Sequence, residues 1–242
     1  MSPWQFVFAA VVVCFAATAQ MVSGFGFALL AVPMMGIVVD LKTAVVVCTI
    51  CGTSSNTYQA IVDKGHRDGR LAIRLILASM AGMPLGWFLL ERATSDQLKV
   101  VVGCVVLLAI VALSQLRVAL PRLSVFDWIA GVVSGALAIA TSTNGPPLVI
   151  LLRAKRLSPN EFRSTINSIF SVIAMVSIAV FAVGGRVTTD VMIATALSIP
   201  GLVVGIAVGR RIRSRLSDSI FWRLVLMLLV ATAVASIVTG VF

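Results

Sequence analysis

The chain has 242 residues, of which 60% are hydrophobic and 12% charged, with a mean hydropathy of +1.08; a soluble domain is roughly half apolar and about a quarter charged. That balance excludes a water-soluble enzyme or binding module. The net charge of +10 is then loop charge that sets membrane orientation rather than a nucleic-acid footprint.

Segments without Asp, Glu, Lys or Arg cover 1–39, 43–62, 75–90, 100–116, 128–152, 164–185, 191–209 and 224–242. A helix needs roughly 20 apolar residues to cross a ~30 Å hydrocarbon core, and somewhat fewer where Lys and Arg snorkel, so no soluble domain is left over. The first run holds an Ala17-Thr18-Ala19 sequence but no basic residue in Met1 to Phe8, which makes it a retained helix rather than a signal peptide. It is long enough to turn at Gly24-Phe25-Gly26, giving helices over 4–22 and 27–39. Helices over 43–62, 72–90 and 98–116 follow. Cys48 and Cys51 form a C-x-x-C in the first of these. With no second pair or nearby His to complete a ligand set, they are small buried hydrophobes, and no metal or other cofactor is expected. The only histidine, His66, belongs to a charged loop with Lys64, Arg67 and Asp68.

The second half reads as helices over 124–140, 146–153, 162–183, 191–209 and 220–240. The charge-free run 128–152 is too short for two full spans, since 25 residues reach only ~37 Å at 1.5 Å each. It is one fairly long helix and a short one, joined at membrane depth by Thr141 to Gly145.

The basic residues crowd into four loops, around 64–74, 117–122, 153–163 and 210–223. Placed inside by the positive-inside rule, these leave Lys42, Arg92, Lys99 and Arg186 outside. The solution holds only if 1–39 and 123–152 each begin and end on the same side. It puts both termini on the extracytoplasmic face of a bacterial inner membrane.

An internal match supports two related halves, 1–120 and 121–242. Val22-Ser23-Gly24 resembles Val133-Ser134-Gly135; at an offset of 119, Gly65, Arg67, Gly82 and Gly86 fall on Gly184, Arg186, Gly201 and Gly205. Ser95-Asp96 falls on Ser217-Asp218 after a small shift. Five elements per half, an odd number, make the repeats inverted. The expected fold is an all-α polytopic membrane protein of two inverted repeats, with a broken helix or re-entrant hairpin at the start of each half.

No charged residue lies deep in a span, so neither a carboxylate proton relay nor a buried ion pair is expected. Metalloprotease and aspartyl-protease chemistry is excluded and a serine nucleophile would lack a base, so the chain is not read as an enzyme. What remains are two polar breaks. One contains Gln20, Ser23, Gly24, Phe25 and Gly26; the other contains Ser134 and Gly135, then Thr141, Ser142, Thr143, Asn144 and Gly145 ahead of Pro146-Pro147. Non-helical backbone at membrane depth is tolerated only where it is buried in protein or lines a cavity. Gly permits the turn, and Pro146 suits the first position of a new helix. Each break then presents the NH groups of a short helix, a receptor for an anion without a fixed cation. Asn56, with Thr49, Thr53 and Ala60 on its helix face, and Asn167, with Ser171, supply side walls. The competing reading makes both breaks packing kinks whose hydroxyls bond their own helix. Arg153 either draws anions to the inner mouth or snorkels.

At these residues the chain resembles the TauE/SafE family of sulfite and organosulfur anion exporters over essentially its whole length. The likeness rests on the Ser-Gly-Phe-Gly-type segment from Ser23 to Phe27, on Ser134-Gly135, and on Gly145-Pro146-Pro147. It implies export of sulfite, sulfoacetate or a related small anion; the two hairpins entering from opposite faces, with one half rocking on the other, would alternate access. Gly-rich variants of the second segment are common in that family, and Thr141 to Asn144 depart from them, which points to a different anion preference. The partners implied are a small anionic substrate and membrane lipid, with no nucleic acid and the oligomeric state open. An importer or exchanger of another small solute, or a non-transporting scaffold subunit, are the alternative functions.

Overall fold

The computed structural model describes residues 3–115 and 124–214, with 220, 223, 227 and 230. Among them there is no strand. The helices are α1 (Pro3–Ser23), α2 (Phe27–Met35), α3 (Leu41–Val62), α4 (Gly69–Arg92), α5 (Ser95–Gln115), α6 (Phe126–Thr141), α7 (Gly145–Ala154), α8 (Pro159–Val183) and α9 (Thr189–Arg213). The helix expected over 220–240, the Ser217-Asp218 match and the C-terminus lie outside the described residues, those four positions apart. Four described helices are long and apolar enough to cross a membrane: Trp4–Ser23, Gly69–Arg92, Pro159–Val183 and Thr189–Arg213.

Several helices begin earlier than the charge-free runs because polar caps start them. Asp40 accepts from the Lys42 and Thr43 amides, Asp68 from Leu71, and Thr188 from Val191. Ser158 and Glu161 form a reciprocal capping box at α8. Each cap satisfies amides that the first helical turn leaves without partners. α2 stops at Met35, short of the expected residue 39, with the Gly36 amide closing onto the Val32 carbonyl.

α3 and α8 pack together at the centre, α1 lies on α9, and α4 lies on α6. α2 sits against α1 and α3, and α7 against α6, α5 and α8. The two outer pairs approach backbone to backbone through glycines. A Cβ added at Gly82 would fall 2.0 Å from the Val132 carbonyl oxygen, and one at Gly135 would fall 1.8 Å from that of Ser79. On the other pair, a Cβ added at Gly201 or Gly205 would fall 2.3 Å from the Ala10 carbonyl oxygen or 2.4 Å from that of Cys14. Small residues at such spacing let membrane helices pack closely. The glycines aligned at an offset of 119 thus do the same job on α4 and on α9.

Each hairpin returns to where it started. Gln5 Nε2, near the start of α1, donates to the Val38 carbonyl beyond α2 at 2.5 Å. Lys155, at the end of α7, pairs with Asp127 in the first turn of α6 at 2.7 Å, with both side chains fully buried. That second contact overturns the expectation of no buried ion pair. The charges sit at the helix ends, as the sequence indicates, but α4 packs over those ends. Asp127 also accepts from the Ser124 amide and hydroxyl, at 2.9 and 3.1 Å. Arg74 of α4 approaches it at 3.7 Å and lies over the Trp128 ring.

Polar contacts divide between the two ends of α3, whose 22 residues span ~33 Å at 1.5 Å each. At the Asp63 end lie the Arg213–Asp63 pair at 2.7 Å, the Asp127 cluster, and the Ser164 hydroxyl donating to the Asp63 carbonyl. At the Asp40 end the Ser95 hydroxyl donates to Asp40, and Arg186 pairs with Glu91 at 2.6 Å.

Candidate functional site

α1 ends at Ser23 because the backbone turns left-handed at Gly24 (φ 83°) and again at Gly26 (φ 95°). These are conformations that glycine adopts without the cost a β-carbon imposes. α6 ends in the same way at Ser142 (φ 56°), here with a β-carbon present, which costs roughly 1–2 kcal/mol. Three-residue links follow, and new helices start at Phe27 and Gly145. Neither Gly26 nor Asn144 closes a side-chain bond onto its own helix. The first-turn amides are therefore left for another acceptor.

Both helix starts open on one cavity of about 40 Å³ between α3 and α8. One water needs ~10–15 Å³ by this measure, so the space suits about three waters or one small ion. Gln20 and the Gly26 to Leu29 backbone form one side; Ser142, Thr143, Asn144 and Gly145 form the other. Thr49, Gly52 and Asn56 on α3 and Phe170, Ile173 and Ser177 on α8 make the walls. Among the described residues, no Lys or Arg lines it. The two sides are not equivalent, because Pro146 and Pro147 carry no NH and leave Gly145 as the amide donor of the first turn of α7.

Side-chain bonds hold this frame. The Thr49 hydroxyl lies 2.9 Å from that of Ser142, tying α3 to the second break. Gln20 Nε2 donates to Asn56 Oδ1, and Gln20 Oε1 is buried without a partner. The Ser134 hydroxyl donates to the Asn144 carbonyl at 3.0 Å, and Thr141 and Thr143 share a hydroxyl contact of 2.6 Å.

Of the residues singled out from sequence, Gln20, Gly26, Thr49, Asn56, Ser142, Thr143, Asn144 and Gly145 meet at the cavity. The others stand behind it. The Ser23 hydroxyl donates to the Ala19 carbonyl at 2.8 Å and lies 2.6 Å from the Phe25 carbonyl. Gly24 packs on Arg163, and Phe25 meets the Phe162 ring edge-on at 6.1 Å. Gly135 faces the Ser79 backbone, Thr141 donates to its own helix at Leu137, and Asn167 Nδ2 donates to the Arg163 carbonyl. Ser134-Gly135 is not the counterpart of Ser23-Gly24, since it lies inside α6, two turns before the break. α6 ends at Thr141 as α1 ends at Ser23, and Ser142 makes the left-handed turn after α6 that Gly24 makes after α1. Sequence reasoning missed Gly52 and named Asn167 and Ser171 for the α8 wall, which Phe170, Ile173 and Ser177 form. The i, i+3, i+7 spacing of Phe170, Ile173 and Ser177 was the available signal.

A family model described as sulfite exporter TauE/SafE matches residues 9–236. A protein of Cupriavidus necator (strain H16) named probable sulfite/organosulfonate exporter TauE is 24% identical over 201 residues, covering 79% of this chain and 78% of that protein. No solved structure matches the chain.

Proposed function

The chain belongs to the sulfite exporter TauE/SafE family, whose members are membrane transporters rather than enzymes, and from that premise we propose that it exports a small oxyanion, sulfite or an organosulfonate, across the inner membrane. The anion is held in the cavity between α2 and α7. One observation carries the assignment: two helix starts with no side-chain cap face a single small cavity. The macrodipole places roughly half a positive charge at each start. The amide and hydroxyl groups of Gln20, Thr49, Asn56, Thr143 and Asn144 surround the same space. Amide nitrogen and oxygen are interchangeable in shape. If both amides of the Gln20–Asn56 pair are turned over, their mutual bond is kept and the unpartnered Gln20 acceptor becomes a donor to an anion.

The two halves, 1–120 and 121–242, act as inverted repeats. In support, exchanging the halves turns the α1–α9 pair into α6–α4 and leaves α3–α8 as itself. The first hairpin enters from outside and the second from the cytoplasm, with the N-terminus outside. The clustering of Arg74, Lys155 and Arg213 with Asp63 and Asp127 at one end of the bundle favours that end as the inner face. Rocking of one half on the other then alternates access to the cavity. Outward movement of an anion is downhill by ~2.3 kcal/mol per charge per 100 mV of inside-negative potential, so export needs no coupling ion.

Proteoliposome flux tests this. Sulfite or a sulfonate should move faster than a carboxylate of equal charge. Asn144→Ala should lower apparent affinity about 10- to 100-fold, the loss of one hydrogen bond to a charged group worth ~1.5–3 kcal/mol. Flux unchanged in a correctly inserted Asn144→Ala and Asn56→Ala pair would show that the anion binds elsewhere.

A further inference from the structure

A second cavity, of about 320 Å³, opens at the Asp63 end of the bundle and is lined by Met21, Tyr58, Asp63, Arg163, Arg210 and Arg213 among others. Three arginines line it against one carboxylate, that of Asp63. Arg213 is paired with that carboxylate, while Arg210 Nη1 donates to the Tyr58 hydroxyl at 3.1 Å. Arg163 comes from α8, is 6% exposed and packs directly under the first break: a Cβ on Gly24 would fall 2.8 Å from Arg163 Cγ. The two cavities are close neighbours along the chain. Gln20 lines the central one and Met21 this one; Asn56 lines the central one and Tyr58 this one. The last turn of α1 thus runs between the two cavities, and the Gly24 turn that follows it packs on Arg163 of the outer one.

We propose that this cavity is a second anion site, a vestibule in which a small oxyanion rests on Arg163, Arg210 and Arg213 before the Gly24 turn opens to the central cavity. Guanidinium groups bind oxyanions bidentately and strongly, whereas the central cavity offers only dipoles. The vestibule therefore concentrates the ion, and the cation-free centre lets it go on. The larger volume suits an oxyanion that keeps part of its water shell. The order of events rests on the transport reading above; the binding site does not.

Equilibrium dialysis of the detergent-solubilised full chain against radiolabelled sulfite separates the two. The wild type should bind two sulfites per chain. Arg210→Gln/Arg213→Gln should bind one, and Asn56→Ala/Asn144→Ala should also bind one, the vestibule ion. If the arginine variant binds as the wild type does, or the wild type binds none, the vestibule is overturned. A wild type that binds one sulfite, lost with the arginines and kept in Asn56→Ala/Asn144→Ala, keeps the vestibule and removes the central site. Should the double arginine variant misfold, Arg210→Gln alone gives the same reading. The vestibule ion should then bind at least several-fold more weakly, and unchanged binding would overturn the proposal.

Discussion

Ser142 and Gly24 make the same backbone turn with and without a β-carbon, and they predict opposite responses to substitution. Gly24→Ala puts a side chain into a left-handed turn that costs ~1–3 kcal/mol, against Arg163 as well. A clear drop in melting temperature in detergent is expected. Ser142→Gly relieves strain but loses the hydroxyl contact with Thr49, worth ~0.5–1.5 kcal/mol. Its melting temperature should stay close to that of the wild type while anion flux falls. A Ser142→Gly variant with full flux would make this hydroxyl a bystander. At this scale the sequence was readable where chemistry is local. The polarity of Gln20 and of Ser142 to Gly145 marked the cavity, because polar helix-breaking residues at membrane depth have few other uses. It was not readable for Ser134 and Thr141, which are equally polar but support the break from behind, a matter of which way a side chain points.

Among the elements, the second hairpin depends on the Asp127–Lys155 contact that joins the start of α6 to the end of α7. Removing one partner of a buried pair typically costs ~3–5 kcal/mol, whereas replacing both with apolar residues is far milder. Lys155→Met should therefore unfold at a markedly lower temperature than Asp127→Leu/Lys155→Met. Equal losses in both would mean that the pair is not held dry. The helix-helix seams give a second test. Gly135→Ala forces a methyl onto the Ser79 backbone, where no flexible side chain can yield, so α4 and α6 must separate and stability in detergent should fall. Among the described residues, the charge-free runs located the nine α-helices to within a few residues, since charge marks where the apolar solvent ends. They misjudged the ends because caps such as Asp40, Asp68 and Ser158 extend each helix beyond its apolar part. They also missed the buried pair, because burial of a helix end by a neighbouring helix leaves no trace in local composition.

Over the whole molecule, the account stands on two hairpins that enter from opposite faces and meet at one cavity. The ion pairs sort by the same two groups: those at the Asp63 end join positions read from charge as inner, and Arg186–Glu91 joins positions read as outer. The inversion is most directly measured by placing single cysteines at Lys42, beyond the first hairpin, and at Arg156, beyond the second, in a variant whose native cysteines are replaced, then labelling with a membrane-impermeant thiol reagent from each side. The account predicts that Lys42→Cys labels from outside only and Arg156→Cys from inside only. Labelling of both from the same face would contradict it.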